Sequence, residues 1–278
     1  MNTDIKLVAL DLDRTTLNSE SHLSEVNRKA LIDAINNGVH VCIASGRAFD
    51  TLPEDVISVP GIEYAITSNG AAIYRIAGKE CLKSYLLTPS SVKTILDLTA
   101  NDTVTYEAFI KGQAFASTEY IRHPEKYGAT EHSLAYVKKT RLLKDDIKGF
   151  ILEHCHKLDS LDIVVGDEEL KKDIMDRIRK ATDEVYMTSS ISQLLEISYK
   201  DAGKKSGVKF LTEYLGLSRE NVAAFGDADN DTDMIEYAGV GIAMENAAPH
   251  LKQIADHVTL HHDKDGVAYA FRNILNIC

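Results

Sequence analysis

Two aspartates, Asp11 and Asp13, stand close together near the start of the chain and are followed by the hydroxyl of Thr15. Carboxylates held this close repel each other unless a cation or a shared proton lies between them. Two carboxylates, a cation and a nearby hydroxyl together indicate phosphate chemistry. A solvated loop after an edge strand would carry the same residue types, so this stretch leaves both interpretations open.

A second acidic segment covers residues 227–233. Its D-x-D-x-D opening matches an EF-hand calcium loop. However, Thr232 stands where the turn glycine belongs, and Ala238 where the bidentate glutamate belongs, which argues against calcium sensing. A magnesium site shared with Asp11 and Asp13 fits better, because magnesium takes a few carboxylates together with waters and phosphate oxygens.

A pair of lysines, Lys204 and Lys205, lies between a predicted strand and a predicted helix. The stretch is not a P-loop, because the GK[ST] ending is missing. Lysine pairs are usually solvent-exposed and have no specific role. A lysine at the exit of a strand would, however, face the aspartates and a bound phosphate.

Short apolar runs that are typical of buried parallel strands precede these polar residues. Because the carboxyl ends of parallel strands meet at one edge of a sheet, and open α/β sheets bind ligands there, separate loops would build one site. The helical pattern between the first two runs predicts a right-handed strand–helix–strand unit. The runs 6–10, 39–44 and 64–67 end at Asp11, at Ser45-Gly46-Arg47 and at Ser68-Asn69-Gly70.

The middle of the chain follows a different pattern, with a predicted hairpin, short strand-like pieces and isolated helices. One of the predicted strands covers 149–152. The α/β pattern resumes with a predicted strand at 194–198. We therefore predict a core formed by residues 1–83 and 190–278, with an α+β insertion at 84–189.

Composition limits the possible partners. The chain has 278 residues and a formal net charge of -11, which argues against nucleic acid and anionic membranes. Its four cysteines are scattered, as expected of reduced thiols in a cytoplasmic protein. No apolar run reaches the roughly 20 residues of a membrane span, and the start of the chain does not read as a signal peptide.

Taken together, the motifs resemble those of the haloacid dehalogenase superfamily, and within it the Cof-type phosphatases. Each motif alone is weak, but their order and spacing are specific. The matching segments are DxDxT at Asp11–Thr15, Ser45–Arg47, Ser68–Gly70, a lysine at Lys204, and Gly-Asp-x-x-Asn-Asp at Gly226–Asp231.

The resemblance implies an α/β fold, a Rossmann-like parallel sheet with a mobile α+β cap inserted in it. It also implies a nucleophile, Asp11, that forms an aspartyl-phosphate. Asp13 would protonate the leaving oxygen and then deprotonate the attacking water.

The same resemblance implies the binding residues. Magnesium would be held by Asp11, the backbone carbonyl of Asp13 and Asp227, with Asp231 supporting them. The phosphoryl oxygens would be bound by Ser45, with the adjacent Gly46, and by Lys204. Thr15 and Asn230 would orient groups nearby.

Two positions depart from the family pattern. Arg14 stands where glycine is common, and we expect it to affect which substrates enter. Lys205 stands where glycine usually follows the phosphate-binding lysine. Spacing favours Lys204 for the phosphate role but leaves Lys205 as an alternative.

The sequence thus predicts a magnesium-dependent phosphatase of small phosphorylated metabolites, with sugar phosphates as the first candidates. The alternatives are a phosphomutase-type phosphotransferase and a non-catalytic binding or regulatory module on the same fold. The sequence indicates no oligomeric state.

Overall fold

The strand that ends at Asp11 lies inside a mainly parallel sheet. The computed structural model describes residues 4–278, apart from the side chain of His132, so residues 1–3 of the predicted core lie outside the described residues. The strands, in chain order, are β1 (Leu7–Leu10), β2 (His40–Ala44), β3 (Ile62–Thr67), β4 (Ala72–Arg75), β5 (Glu80–Ser84), β6 (Thr105–Ile110), β7 (Gln113–Ser117), β8 (Leu142–Lys144), β9 (Ser160–Val164), β10 (Val185–Thr188), β11 (Leu194–Tyr199), β12 (Val222–Gly226), β13 (Val240–Ala243) and β14 (His257–Val258).

Helices connect most of these strands, and several have the caps that their sequences predict. Ser24 accepts a hydrogen bond from the N–H of Asn27 at 3.0 Å, which starts the first long helix where a serine N-cap is expected. The helices are α1 (Glu25–Asn36), α2 (Glu54–Ile57), α3 (Pro89–Leu98), α4 (Thr118–Arg122), α5 (Glu131–Thr140), α6 (Ile147–Glu153), α7 (Glu168–Ala181), α8 (Lys204–Tyr214), α9 (Thr232–Tyr237), α10 (Pro249–Ile254) and α11 (Gly266–Asn273).

The larger sheet has eight strands in the order β14-β13-β12-β1-β2-β3-β4-β5. From β14 to β3 the pairing is parallel, and β4 then adds antiparallel to β3. All four residues of β1 are buried, as expected of a parallel strand covered on both faces. Because β1 lies between β2 and β12, the loops that follow these three strands emerge at the same edge of the sheet.

The second sheet has six strands in the order β10-β11-β9-β6-β7-β8. Tyr106, Leu161, Ile163 and Leu195 are among the residues of its apolar core. Its pairing is antiparallel except between β7 and β8, which fits the predicted α+β insertion.

One sheet assignment and one secondary-structure prediction were wrong in this region. The strand at 194–198, predicted to belong to the parallel core, is β11, and it pairs antiparallel with β9 and β10. The segment 149–152 is not a strand but part of α6, where Asp146 caps the helix by accepting from the N–H of Gly149 at 2.9 Å. Short apolar runs do not distinguish a strand from a buried helix, so the cap decides here.

The chain forms two compact units. The first contains residues 4–47, 52–83 and 203–278, and the second contains Ala48–Thr51 and Ser84–Ala202. Each has its own buried apolar cluster, as expected of separate domains.

Candidate active site

The carboxylate of Asp11 lies immediately after β1 and is almost fully buried. Its Oδ1 accepts a hydrogen bond from Nζ of Lys204 at 2.7 Å. Burial raises the pKa of Asp11 well above its usual value. Lys204 acts in the opposite direction, whereas the neighbouring carboxylates of Asp231, Asp227 and Asp13 raise the pKa further. Lys204 therefore opposes the protonation of the predicted nucleophile.

Lys204 begins α8 and is completely inaccessible to solvent. Its Nζ donates to Oδ1 of Asp11 at 2.7 Å and to Oδ1 of Asp231 at 2.6 Å. Burial disfavours the charged lysine, but the two carboxylates outweigh it and raise the lysine pKa. Lys205 is exposed. Of the two lysines, Lys204 is the one whose ammonium contacts Asp11 and Asp231.

The backbone of Gly70 lies close to that of Gly203, the residue before α8. Gly70, at the end of the Ser68–Gly70 turn, has a φ of +89°, and a Cβ placed there would lie 1.9 Å from the carbonyl oxygen of Gly203. A side chain at position 70 would therefore push the loop away from the residue that precedes Lys204. The Ser-Asn-Gly motif thus positions the lysine through its backbone.

Three carboxylates form a cluster. Asp11, Asp227 and Asp231 each offer one oxygen within 4.8 Å of the others, and all three are buried. Burial, and then the neighbouring Asp231, raise the pKa of Asp227 to about 7. Lys204, with the exposed Arg14 3.8 Å from Asp227, supplies less positive charge than three ionised carboxylates carry. An all-oxygen donor set with surplus negative charge fits a hard divalent cation such as magnesium.

Asp231 supports this cluster from behind. Its Oδ2 accepts hydrogen bonds from the N–H groups of Asp227 at 2.9 Å and Ala228 at 3.1 Å, while its Oδ1 accepts from Lys204. A Cβ at Gly226 would lie 2.4 Å from Cβ of Asp231, which explains the glycine of the Gly-Asp motif. Oδ2 of Asp231 therefore holds the loop, and Oδ1 contacts Lys204.

The carboxylate of Asp13 does not join the cluster. Arg47 binds it in a bidentate arrangement, with Nε to Oδ2 at 2.9 Å and Nη2 to Oδ1 at 2.6 Å. The side chain of Asp13 is 52% exposed and that of Arg47 only 14%. Sequence reasoning gave Arg47 no role, although the Ser-Gly-Arg motif contained it. The sequence does not show that Arg47 lies beside Asp13, the predicted acid/base residue.

Of the remaining predicted binding residues, Thr15 contacts the acidic cluster, whereas Asn230 and Ser45 have other partners. Thr15 is buried, and its Oγ1 donates to Oδ1 of Asp227 at 3.3 Å, so it contacts the acidic cluster directly. Asn230 instead donates to Oδ1 of Asn69 at 2.9 Å. Ser45 is buried and accepts from the N–H of Arg47 at 3.2 Å, and Gly46 lies in the turn between them.

Comparison with known proteins identifies the family. The sequence profile of haloacid dehalogenase-like hydrolases matches residues 8–271, almost the whole chain. The chain belongs to this family. The haloacid dehalogenase-like hydrolase is 30% identical over 272 residues to the 5-amino-6-(5-phospho-D-ribitylamino)uracil phosphatase YcsE of Bacillus subtilis, covering 98% of this chain and 96% of YcsE. It is also 30% identical over 292 residues to the phosphatase YwpJ of the same organism, covering 98% and 100%.

Solved structures agree. A haloacid dehalogenase-like hydrolase from Bacillus subtilis superimposes with a TM-score of 0.82 at 28% identity, covering 98% of this chain and 100% of the other. The predicted family, the α/β fold with an inserted cap domain and the phosphatase class are thereby confirmed. Within residues 4–278, no helix combines the length and the apolar character needed to cross a membrane.

The family also bears on the cofactor. Phosphatases of this kind act on small phosphorylated substrates and generally use a divalent metal ion. The carboxylates of Asp11, Asp227 and Asp231 could bind one.

Proposed function

We propose that this hydrolase is a magnesium-dependent phosphatase that acts on sugar or sugar-alcohol phosphates through an aspartyl-phosphate on Asp11. The observation that carries the proposal is the burial of Lys204 between Asp11 and Asp231, beside the carboxylate of Asp227. An anionic nucleophile repels an anionic phosphate, so positive charge must be placed between them. Lys204 provides part of it.

In the proposed first step, one oxygen of Asp11 attacks phosphorus while Lys204 holds the other oxygen in place. The bond between phosphorus and the ester oxygen breaks, and the leaving alkoxide takes a proton from Asp13. Water then attacks the phosphorus of the aspartyl-phosphate and gives a proton to Asp13. The bond between phosphorus and Asp11 breaks, so that phosphate is released and the carboxylate of Asp11 is regenerated. A magnesium ion held by Asp11, the backbone carbonyl of Asp13 and Asp227 would supply charge compensation for the phosphoryl oxygens.

Arg47 holds the ionised form of Asp13, which is the form that takes the proton of the attacking water. The protonated form that serves the leaving oxygen must free one of its oxygens from Arg47. The two hydrogen bonds of Arg47 orient both oxygens of the carboxylate, and such fork-like contacts are geometrically specific. We propose that Ser45, with Gly46, and Lys204 bind the phosphoryl oxygens, while Thr15 and Asn230 orient groups around them.

The substrate proposal rests on a relative. YcsE is a phosphatase of 5-amino-6-(5-phospho-D-ribitylamino)uracil, a phosphate ester of a ribityl chain. Because the similarity extends over 98% of this chain, we propose a phosphate ester of a short polyhydroxylated chain here too. We also propose that the first unit is the catalytic core and the second the cap, with the boundary after Ala202 in place of the predicted 189.

An ester panel tests the proposal. Phosphate release should be measured with hexose phosphates, pentose phosphates, ribitol phosphate and the YcsE substrate, in magnesium and in EDTA. Asp11→Asn should lower kcat by roughly 10⁴-fold or more, as the loss of other covalent nucleophiles does. Asp229→Asn is the matched control, since Asp229 lies in the 227–233 loop but its side chain is 64% exposed.

Two results would contradict the proposal. Full activity in EDTA would exclude the cation, and full activity of Asp11→Asn would exclude the aspartyl-phosphate. Product analysis in the same assay separates hydrolysis from the mutase alternative, which would yield an isomeric sugar phosphate and no free phosphate. No turnover of any ester would favour the non-catalytic binding or regulatory module.

A further inference from the structure

We propose that Asn246 is a positioning residue that sets the affinity of the acidic cluster for a divalent cation. The inference rests on the proposed cation site but concerns a residue to which neither the sequence motifs nor the mechanism assigned a role. Asn246 follows β13, in the loop next to that of Asp227, and is partly buried.

Both the nitrogen and the oxygen of the Asn246 side-chain amide form hydrogen bonds. Its Nδ2 donates to the backbone carbonyl of Arg14 at 2.8 Å and to Oδ2 of Asp227 at 3.3 Å. Its Oδ1 accepts from the N–H of His262 at 3.2 Å. Asn246 therefore ties the loop after β1 to the loop after β12, and the segment at His262 fixes its orientation.

The contact with Arg14 acts on the backbone between the two catalytic aspartates. Arg14 has φ 61° and ψ 15°, in the left-handed region that residues other than glycine rarely adopt. A hydrogen bond to its carbonyl favours this conformation over extended alternatives. The turn Leu12–Thr16 in turn determines where Asp13 and Thr15 lie relative to Asp11.

The contact with Asp227 acts on the cluster itself. Thr15 donates to Oδ1 and Asn246 to Oδ2, so the carboxylate is held from both sides while it lies within 4.8 Å of its two acidic neighbours. Arg14 adds only a weaker contact, with Nε 3.8 Å from Oδ2. Loss of Asn246 would let the carboxylate rotate and would release the Arg14 turn at the same time.

Groups that orient metal ligands typically change metal affinity by about 10–100-fold when they are removed. Asn246→Ala should therefore weaken magnesium binding by about 10–100-fold. Asn246→Asp keeps the size of the side chain but removes both donors and puts a carboxylate against Asp227. It should weaken binding at least as much, because position 246 orients a ligand and is not one.

The experiment is calorimetric titration of the full-length, metal-free protein with magnesium chloride. Wild type, Asn246→Ala and Asn246→Asp are compared with Asn273→Ala, whose amide donates to the carbonyl of Tyr269 at the exposed end of its own helix. A second readout is deuterium exchange of the Leu12–Thr16 turn in EDTA. Exchange there should be faster in both Asn246 variants and unchanged in Asn273→Ala.

Each outcome has a distinct meaning. Magnesium affinity of Asn246→Ala within twofold of wild type would overturn the inference while leaving the phosphatase mechanism standing. Tighter binding by Asn246→Asp would also overturn it, because it would make position 246 a ligand. A wild-type protein that binds no magnesium would overturn both the proposed cofactor and the inference, and it would be recognised in the first titration.

Discussion

Replacing Lys204 by methionine tests the central ion pairs of the site. Methionine has a similar length but no charge, so the change removes one cation from between Asp11 and Asp231 with little loss of volume. Lys204 is fully buried, and its Nζ lies 2.7 Å and 2.6 Å from the two carboxylate oxygens. Lys205→Met is the matched control, because it removes the same charge at the next, exposed position.

The size of the effect follows from these distances. At 2.7 Å and 2.6 Å and an effective dielectric constant of about 20, each pair attracts by roughly 6 kcal/mol before the cost of desolvation is subtracted. Removing one partner of a buried ion pair costs about 3–5 kcal/mol, because the remaining charge stays buried without compensation. For a chain of this size, we therefore expect the Tm to fall by roughly 10 °C.

The loss should depend on pH in a defined direction. Burial already raises the pKa of Asp11, and Lys204 opposes that rise, so its removal lets Asp11 take up a proton more readily. A group with a raised folded-state pKa stabilises the protein at low pH and loses that contribution as the pH rises. The stability difference between wild type and Lys204→Met should consequently shrink as the pH is lowered.

Activity provides the second measurement. A preorganised cation that stabilises transition-state charge is worth about 10²–10³-fold in kcat. The variant would also favour the protonated form of Asp11, the proposed nucleophile. Thermal unfolding should be recorded between pH 5 and pH 9, and kcat measured on the best ester of the panel. A Lys204→Met protein with the Tm of wild type, or with kcat within threefold of Lys205→Met, would refute this account of the ion pairs.

Three further predictions follow from the described contacts. Arg47→Lys keeps the charge but not the fork that holds Asp13, so kcat should fall by about tenfold with little change in KM; equal kcat values would remove Arg47 from catalysis. Burial raises the pKa of Asp159 to about 6, so its stabilising contribution is lost as the pH rises from 4 to 8. Asp159→Asn should remove a pH dependence of about 3 kcal/mol in the free energy of unfolding. If urea titrations of the variant and of wild type gave parallel pH profiles, the prediction would be contradicted. Arg14→Gly should leave the free energy of unfolding within about 1 kcal/mol of wild type, since glycine adopts the left-handed turn freely. Because the exposed Arg14 side chain lies beside Asp227, the change should alter the relative kcat/KM values of the esters. An unchanged ester profile would argue against a role of Arg14 in substrate access.

Local sequence patterns were sufficient for the parallel sheet and for the edge at which its polar loops meet. Strands β1, β2 and β3 were predicted close to their observed positions, because apolar runs of strand length that end in polar residues have few other structures available. The order and spacing of the acidic motifs indicated which loops meet. The family was likewise readable from sequence alone, since its motifs follow the strands that carry them.

Tertiary contacts decided the rest. Nothing local in the run at β11 indicates that it pairs with β9 and β10 instead of the parallel strands, because partner choice depends on residues distant in the chain. Adjacent lysines look alike in sequence, and only the packing of α8 buries Lys204 and exposes Lys205.

Asp13 shows the same division. Its spacing from Asp11 predicted a shared function, and the structure shows that its carboxylate points to Arg47 instead of to the acidic cluster. The sequence by itself determined which residue types meet at the sheet edge. Only the tertiary structure decided which pairs of charges are in contact, because burial and distances of a few ångströms control those interactions and neither is a property of local sequence.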